Sequence, residues 1–168
     1  MALIKLKGNP INTVGDLPSV GKKLPDFKLT NRDLKDLKLK DYLGKKIVIN
    51  IFPSIDTSVC AASVRRFNQA ASKMENTVVL CVSKDLPFAH KRFCGAEGLK
   101  DVIPLSSLRN DAFEKDYGVR IMDGPMEGLM ARVVIVADRE GTIVYSEQVP
   151  DIVEEPNYKK AVEAAKAI

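Results

Sequence analysis

Two stretches of the chain are apolar at nearly every position, KKIVINIF (45–52) and NTVVLCVS (76–83). Both are short and rich in β-branched residues, so they predict strands buried on both faces. ARVVIVAD (131–138) reads the same way. GTIVYSEQV (141–149) follows it, with Arg139, Glu140 and Gly141 as the turn of a hairpin. Between these strands the period changes. In VCAASVRRFNQAASKM (59–74), Cys60, Val64, Phe67, Ala71 and Met74 recur at helical spacing and share one face. PFAHKRFCGAEGL (87–99) predicts a shorter helix opened by Pro87. NDAFEKDYGV predicts a helix that stops at Gly118, and NYKKAVEAAKAI a closing helix.

The N-terminal part is patterned differently. Residues 8–27 are dense in Gly and Pro and read as turns. LKGNPINT predicts two short strands around a Gly-Asn-Pro turn, and FKLTNRDLKDLKL predicts exposed, edge-like strands. The core order is then strand, helix, strand, helix, helix, strand, strand, helix. That order predicts an α/β fold: a central mixed sheet flanked by helices, with the late hairpin as its antiparallel part. The 168 residues suit one domain over 1–168, with residues 1–24 as a turn-rich β extension.

Composition narrows the function. Hydrophobic residues make up 45% and charged residues 29%, the balance of a globular chain. No apolar run approaches the roughly 20 residues of a membrane span. The first residues, MALIKLKGNP, show no apolar core of a secretory signal, so the expected compartment is the cytoplasm. The net charge is +4, but basic and acidic residues are interspersed. No basic stripe with interleaved aromatics marks a nucleic-acid surface.

Three cysteines, an odd number, argue against a structural disulfide framework. Inert core residues, metal ligands and reactive thiols remain. Cys60 stands out by its setting, NIFPSIDTSVCAASVRRF (50–67). A buried strand ends, a proline turns the chain, and Asp56, Thr57 and Ser58 are all competent N-caps. Cys60 then falls in the first helical turn, where free backbone N–H groups and the helix dipole stabilise a thiolate. It also lies beyond the carboxyl end of a strand, where open α/β sheets place their active residues.

PSIDTSVC carries the pattern Pro-x-x-x-Thr-x-x-Cys between a buried strand and a helix, and so resembles the peroxiredoxin signature. With FCGAEG and DGPMEGLMAR, the wider stretch resembles the bacterial thiol peroxidase subgroup of that family, of the atypical two-cysteine type. The resemblance covers nearly the whole chain. It implies a thioredoxin-like fold and the reduction of hydroperoxides. It implies Cys60 as the peroxidatic cysteine, Thr57 as a hydroxyl contacting thiolate and peroxide, and Pro53 as the residue shielding the pocket. It further implies Arg132 as the active-site arginine and Cys94 as the resolving cysteine, closing an intrachain disulfide with Cys60. Thioredoxin as reductant and a homodimer are implied too, with no metal, haem or flavin in the chemistry. Cys81, inside a buried strand, reads as inert.

Rival readings are weaker. A Cys3His zinc site from Cys60, Cys81, His90 and Cys94 lacks any Cys-x-x-Cys spacing. A Cys–His hydrolase would have to use His90, the only histidine, whose neighbours Lys91 and Arg92 read as solvated. A thioredoxin-fold binding or chaperone module would have no need of Thr57, Cys60 and Arg132 together.

Overall fold

The computed structural model describes residues 1–168. The chain runs β1 (Leu3–Leu6), β2 (Asn9–Asn12), β3 (Lys28–Asn31), β4 (Asp36–Lys38), β5 (Lys46–Ile51), α1 (Ser58–Ala71), β6 (Thr77–Ser83), α2 (Pro87–Glu97), β7 (Ile103–Ser106), α3 (Asp111–Asp116), β8 (Val133–Ala137), β9 (Ile143–Gln148) and α4 (Tyr158–Lys166). Seven strands form a mixed sheet in the order β4-β3-β7-β6-β5-β8-β9, and β1 and β2 form a separate hairpin. The α/β class and the mixed sheet expected from the sequence are both present.

The central strands are buried on both faces because helices lie on one and the N-terminal segments and α3 on the other. The alternation is strict. Ile47, Ile49 and Ile51 of β5 enter one apolar cluster with Leu29, Phe113 and Tyr117. Val48 and Phe52 enter the other with Val64 and Phe67 of α1 and Ala161 of α4. All three cysteines belong to this second cluster.

Three local expectations are corrected. The turn of the N-terminal hairpin is Lys7–Gly8, not Gly-Asn-Pro. Both residues have positive φ (51° and 83°), which a two-residue turn of this type requires, and Asn9 and Pro10 already belong to β2. Second, of β3 and β4 only β4 is an edge. β3 lies between β4 and β7, with Leu29 and Thr30 buried. Third, β7 was absent from the sequence expectation. IPLS is four residues long and contains Pro104, which argues against an interior strand. The proline is tolerated because β3 pairs only with Leu105 and Ser106, so no partner lies opposite Pro104 on that side.

Gly118 ends α3 at φ +69°, and a Cβ there would overlap the carbonyl of Asp16. Gly118→Ala combines left-handed strain with that overlap. It should lower stability by about 2 kcal/mol or more, or about 4–8 °C in Tm for a chain of this size, as read by thermal unfolding.

Candidate active site

The sheet register explains how residues 72 positions apart meet. β5 and β8 are antiparallel with Ile51 opposite Val133, so the residue after β5 and the residue before β8 lie at the same sheet edge. β5 leads there into Pro53 and the α1 N-terminus, and Arg132 stands at the head of β8. An Arg132 Nη2 hydrogen donates to Cys60 Sγ at 3.3 Å. Arg132 is 1% exposed and Cys60 0%.

Arg132 is held from behind. Its Nε donates to the Ile152 carbonyl at 2.8 Å, while Nη1 is buried with no protein partner. Ile152 is fixed by the N-terminal hairpin: Ile152 N–H donates to the Lys5 carbonyl and Lys5 N–H to the Pro150 carbonyl. The Asp151 carboxylate accepts from the N–H groups of Lys7 and Gly8, and these bonds, Gly8's foremost, hold its carboxyl below the usual range. The N-terminal extension, which reads in sequence as a lead-in of turns, is thus a support of the site.

Cys60 is the third residue of α1. The first-turn N–H groups of Ser58, Val59 and Cys60 have no acceptor in the chain and, with the positive end of the helix dipole, favour negative charge at this point. The Cys60 carbonyl accepts from Ser63 Oγ at 2.7 Å, and Asn50 Nδ2 on β5 donates to Ser63 Oγ at 3.1 Å. The turn bearing the thiol is therefore tied to the sheet.

Pro53 is buried beside this turn. Thr57 is the N-cap residue by backbone conformation, but its hydroxyl neither caps the helix nor bonds Cys60. It donates to the Ser54 carbonyl at 3.0 Å, the carbonyl that also accepts Thr57 N–H. The hydroxyl proton is committed to this turn, which leaves the oxygen lone pairs free to accept from a ligand.

Pro53, Thr57 and Arg132 line a cavity of about 770 Å³. Leu6, Ile11, Val59, Met126, Ile152 and Val153 supply much of its apolar wall. Two of these come from the N-terminal hairpin, which no motif marks.

Cys94 is on α2, 3% exposed, one position before Gly95. Its carbonyl accepts from the N–H groups of Gly98 and Leu99, with Gly98 in the left-handed conformation that closes the helix. Burial pushes the Cys94 thiol up, offset in part by Arg32. Cys81 is fully buried, and burial pushes it to about 12 despite a long contact from Asn50 Nδ2. All three thiols are free.

His90 pairs with no cysteine. Its Nε2 lies 2.8 Å from Ser83 Oγ, and burial lowers it to about 4 against the opposing pull of Asp85. No three His, Cys, Asp or Glu side chains converge in a metal-ligating group, and no helix is long and apolar enough to cross a membrane.

Residues 19–162 match the Redoxin family. The chain is 55% identical over 164 residues to a thiol peroxidase of Mycobacterium tuberculosis (strain ATCC 25618 / H37Rv), with 98% of each chain covered. The structure matches that of a peroxiredoxin-like protein from Aquifex aeolicus with a TM-score of 0.94 and 38% identity, over 99% of this chain and 97% of that one. It also shares the fold of a thiol peroxidase from Chromobacterium violaceum, with a TM-score of 0.90 at 22% identity, over 98% and 95% of the two chains. The family match, the identity over nearly the full length and the shared architecture together show that the chain belongs to the Redoxin family, in the thiol peroxidase branch of the peroxiredoxins.

Proposed function

We propose that the chain is a thiol peroxidase that reduces hydroperoxides at Cys60 and regenerates itself through a Cys60–Cys94 disulfide. One observation carries this reading above the rest: the Arg132 guanidinium is buried against the Cys60 sulfur, with Nη1 unpartnered beside the cavity.

The steps follow from the groups present. The Cys60 thiolate attacks the terminal oxygen of ROOH. The O–O bond breaks, Cys60 becomes a sulfenic acid, and the alkoxide leaves as ROH after taking a proton. Negative charge passes from sulfur to the leaving oxygen. Arg132 Nη1 and the first-turn N–H groups of α1 are fixed donors for it. The Thr57 oxygen accepts from the peroxide O–H. Pro53 and the apolar wall exclude water, and the cavity's size and lining suit organic hydroperoxides as well as hydrogen peroxide. Cys94 then condenses with the sulfenic acid, releasing water and forming the disulfide. A dithiol reductant of the thioredoxin class restores both thiols. The family resemblance supports that reductant, a homodimer, residues 1–168 acting as one unit, and action in the cytoplasm.

Cys60→Ser should abolish turnover, because a serine hydroxyl is not ionised at neutral pH. Cys94→Ser should consume about one peroxide per chain and stop as the sulfenic acid, detected by mass. Near wild-type turnover by Cys60→Ser would remove the assignment.

Arg132→Met should slow peroxide attack by about 10²-fold, the range for losing one aimed donor. Stopped-flow peroxide kinetics read the effect.

Disulfide closure should require α2 to open. Cys94 lies seven residues past Pro87, about 10 Å along the helix, and both sulfurs are buried. Gly95 is helical with space around its Cα, so Gly95→Ala should stabilise α2 by about 0.5–1 kcal/mol. It should slow closure about two- to fivefold and leave peroxide attack unchanged in single-turnover measurements. Amide exchange should report lost protection at 57–62 and 88–96 in the disulfide form.

A further inference from the structure

The loop that presents Cys60 is held chiefly by a carboxylate outside the signature. Asp85 follows β6 and is half-buried. Its Oδ1 accepts from Ser54 Oγ at 2.8 Å. Its Oδ2 accepts from the Ile55 N–H at 2.7 Å and from Ser83 Oγ at 2.6 Å. Ser54 in turn organises the rest of the loop. Its hydroxyl accepts from Asp56 N–H, and its carbonyl accepts both the N–H and the hydroxyl of Thr57. Thr57 is the N-cap of α1, three residues before Cys60.

The same carboxylate reaches toward the other cysteine. A carboxylate only accepts, so the Ser83 hydroxyl must spend its proton on Asp85 and accept from His90 Nε2–H. His90 is buried on α2 one turn before Cys94. It is therefore the neutral Nε2–H tautomer, consistent with its lowered pKa.

We infer that Asp85 is a positioning residue that holds the Pro53–Thr57 loop in the conformation competent for peroxide attack and, through Ser83 and His90, docks the Cys94 helix against it. The inference rests on Cys60 being the peroxidatic cysteine. Asp85 touches neither peroxide nor sulfur. It acts through Ser54 on Thr57 and the α1 N-terminus, where the donors of the attack step are gathered. The attack needs this loop ordered, whereas disulfide closure needs the loop and α2 to part. Asp85 therefore favours the first step over the second.

The test separates the two steps by stopped flow. Peroxide attack is measured in a Cys94→Ser background as sulfenic acid formation, and closure in the two-cysteine chain as decay of the sulfenic acid after one equivalent of peroxide. Asp85→Ala should slow attack tenfold or more and leave closure unchanged or faster. It should also form less Cys60 sulfinic acid under excess peroxide. Asp85→Asn retains an acceptor for the Ile55 N–H and should recover attack to within about threefold of the parent. Ser54→Ala removes one bond of the set and should slow attack a few-fold, again without slowing closure. It serves as the measured variant if Asp85→Ala does not fold. Unchanged attack, or attack and closure slowed by the same factor, overturns the inference. Failure of the underlying assignment looks different: Cys60→Ser would then still consume peroxide.

Discussion

A guanidinium with almost no solvent contact has to be compensated where it lies, because an unpaired buried charge is among the most unfavourable features a fold can carry. Arg132 meets this requirement with the Ile152 carbonyl on one side and the Cys60 sulfur on the other. The guanidinium sits where it would stabilise negative charge on sulfur, and the Cys60 sulfur is the only side-chain hydrogen-bond partner the arginine has. Lysine could not substitute, since a single ammonium lacks the planar fork that spans a carbonyl and a sulfur at fixed geometry. Much of the surrounding structure holds these two groups in register. β8 runs antiparallel to β5, the hairpin of β1 and β2 braces Ile152, and Asn50 with Ser63 ties down the turn of Cys60.

The end of β6 is a second organising point. Three consecutive residues there engage three separate parts of the molecule. Ser83 meets His90 on α2, and Asp85 meets the Ser54–Ile55 loop. Lys84 reaches the Gly128 carbonyl and the buried Glu114 carboxylate, and so steadies the segment that brings Met126 to the cavity wall. Further ion pairs cross the same seam, Asp56 with Arg92 and Arg65 with Glu97. These pairs are solvent-exposed and contribute modestly. The buried hydrogen bonds of Ser83 and Asp85 are the stronger constraint, because leaving such groups unpaired costs their full desolvation.

Elements whose pattern reflects burial were legible in the sequence. β5, β6 and β8 announce themselves by continuous β-branched runs, and α1 by the face running from Cys60 to Met74. Cys60 and Arg132 were legible because the signature and the strand head fix their places. β7 was not, since its position inside the sheet depends on how far β3 extends, a tertiary fact. Nor were Asp85, Ser54, Ile152 and the wall residues Leu6 and Ile11. Their roles come from contacts between segments up to 147 residues apart, as between Lys5 and Ile152, and a Ser or an Asp in a loop carries no pattern that reports its partner. For Thr57 the residue was legible but its bond was not: its hydroxyl joins the Ser54 carbonyl, a competition between local acceptors that spacing cannot decide.

The burial of Cys94 also fixes an order of operations. Cys60 and Cys94 are the same functional group in the same apolar cluster, yet only Cys60 has a guanidinium bonded to its sulfur and a helix N-terminus beside it. Burial disfavours the Cys94 thiolate, and the protonated form of a thiol is a poor nucleophile toward peroxide and sulfenic acid alike. In the proposed cycle it gains reactivity when α2 loosens and admits water. The fold would thus act as a sequencer: an arginine bonded to one buried thiol and a helix N-terminus beside it, with neither at the other, give two chemically identical groups different turns in the proposed cycle.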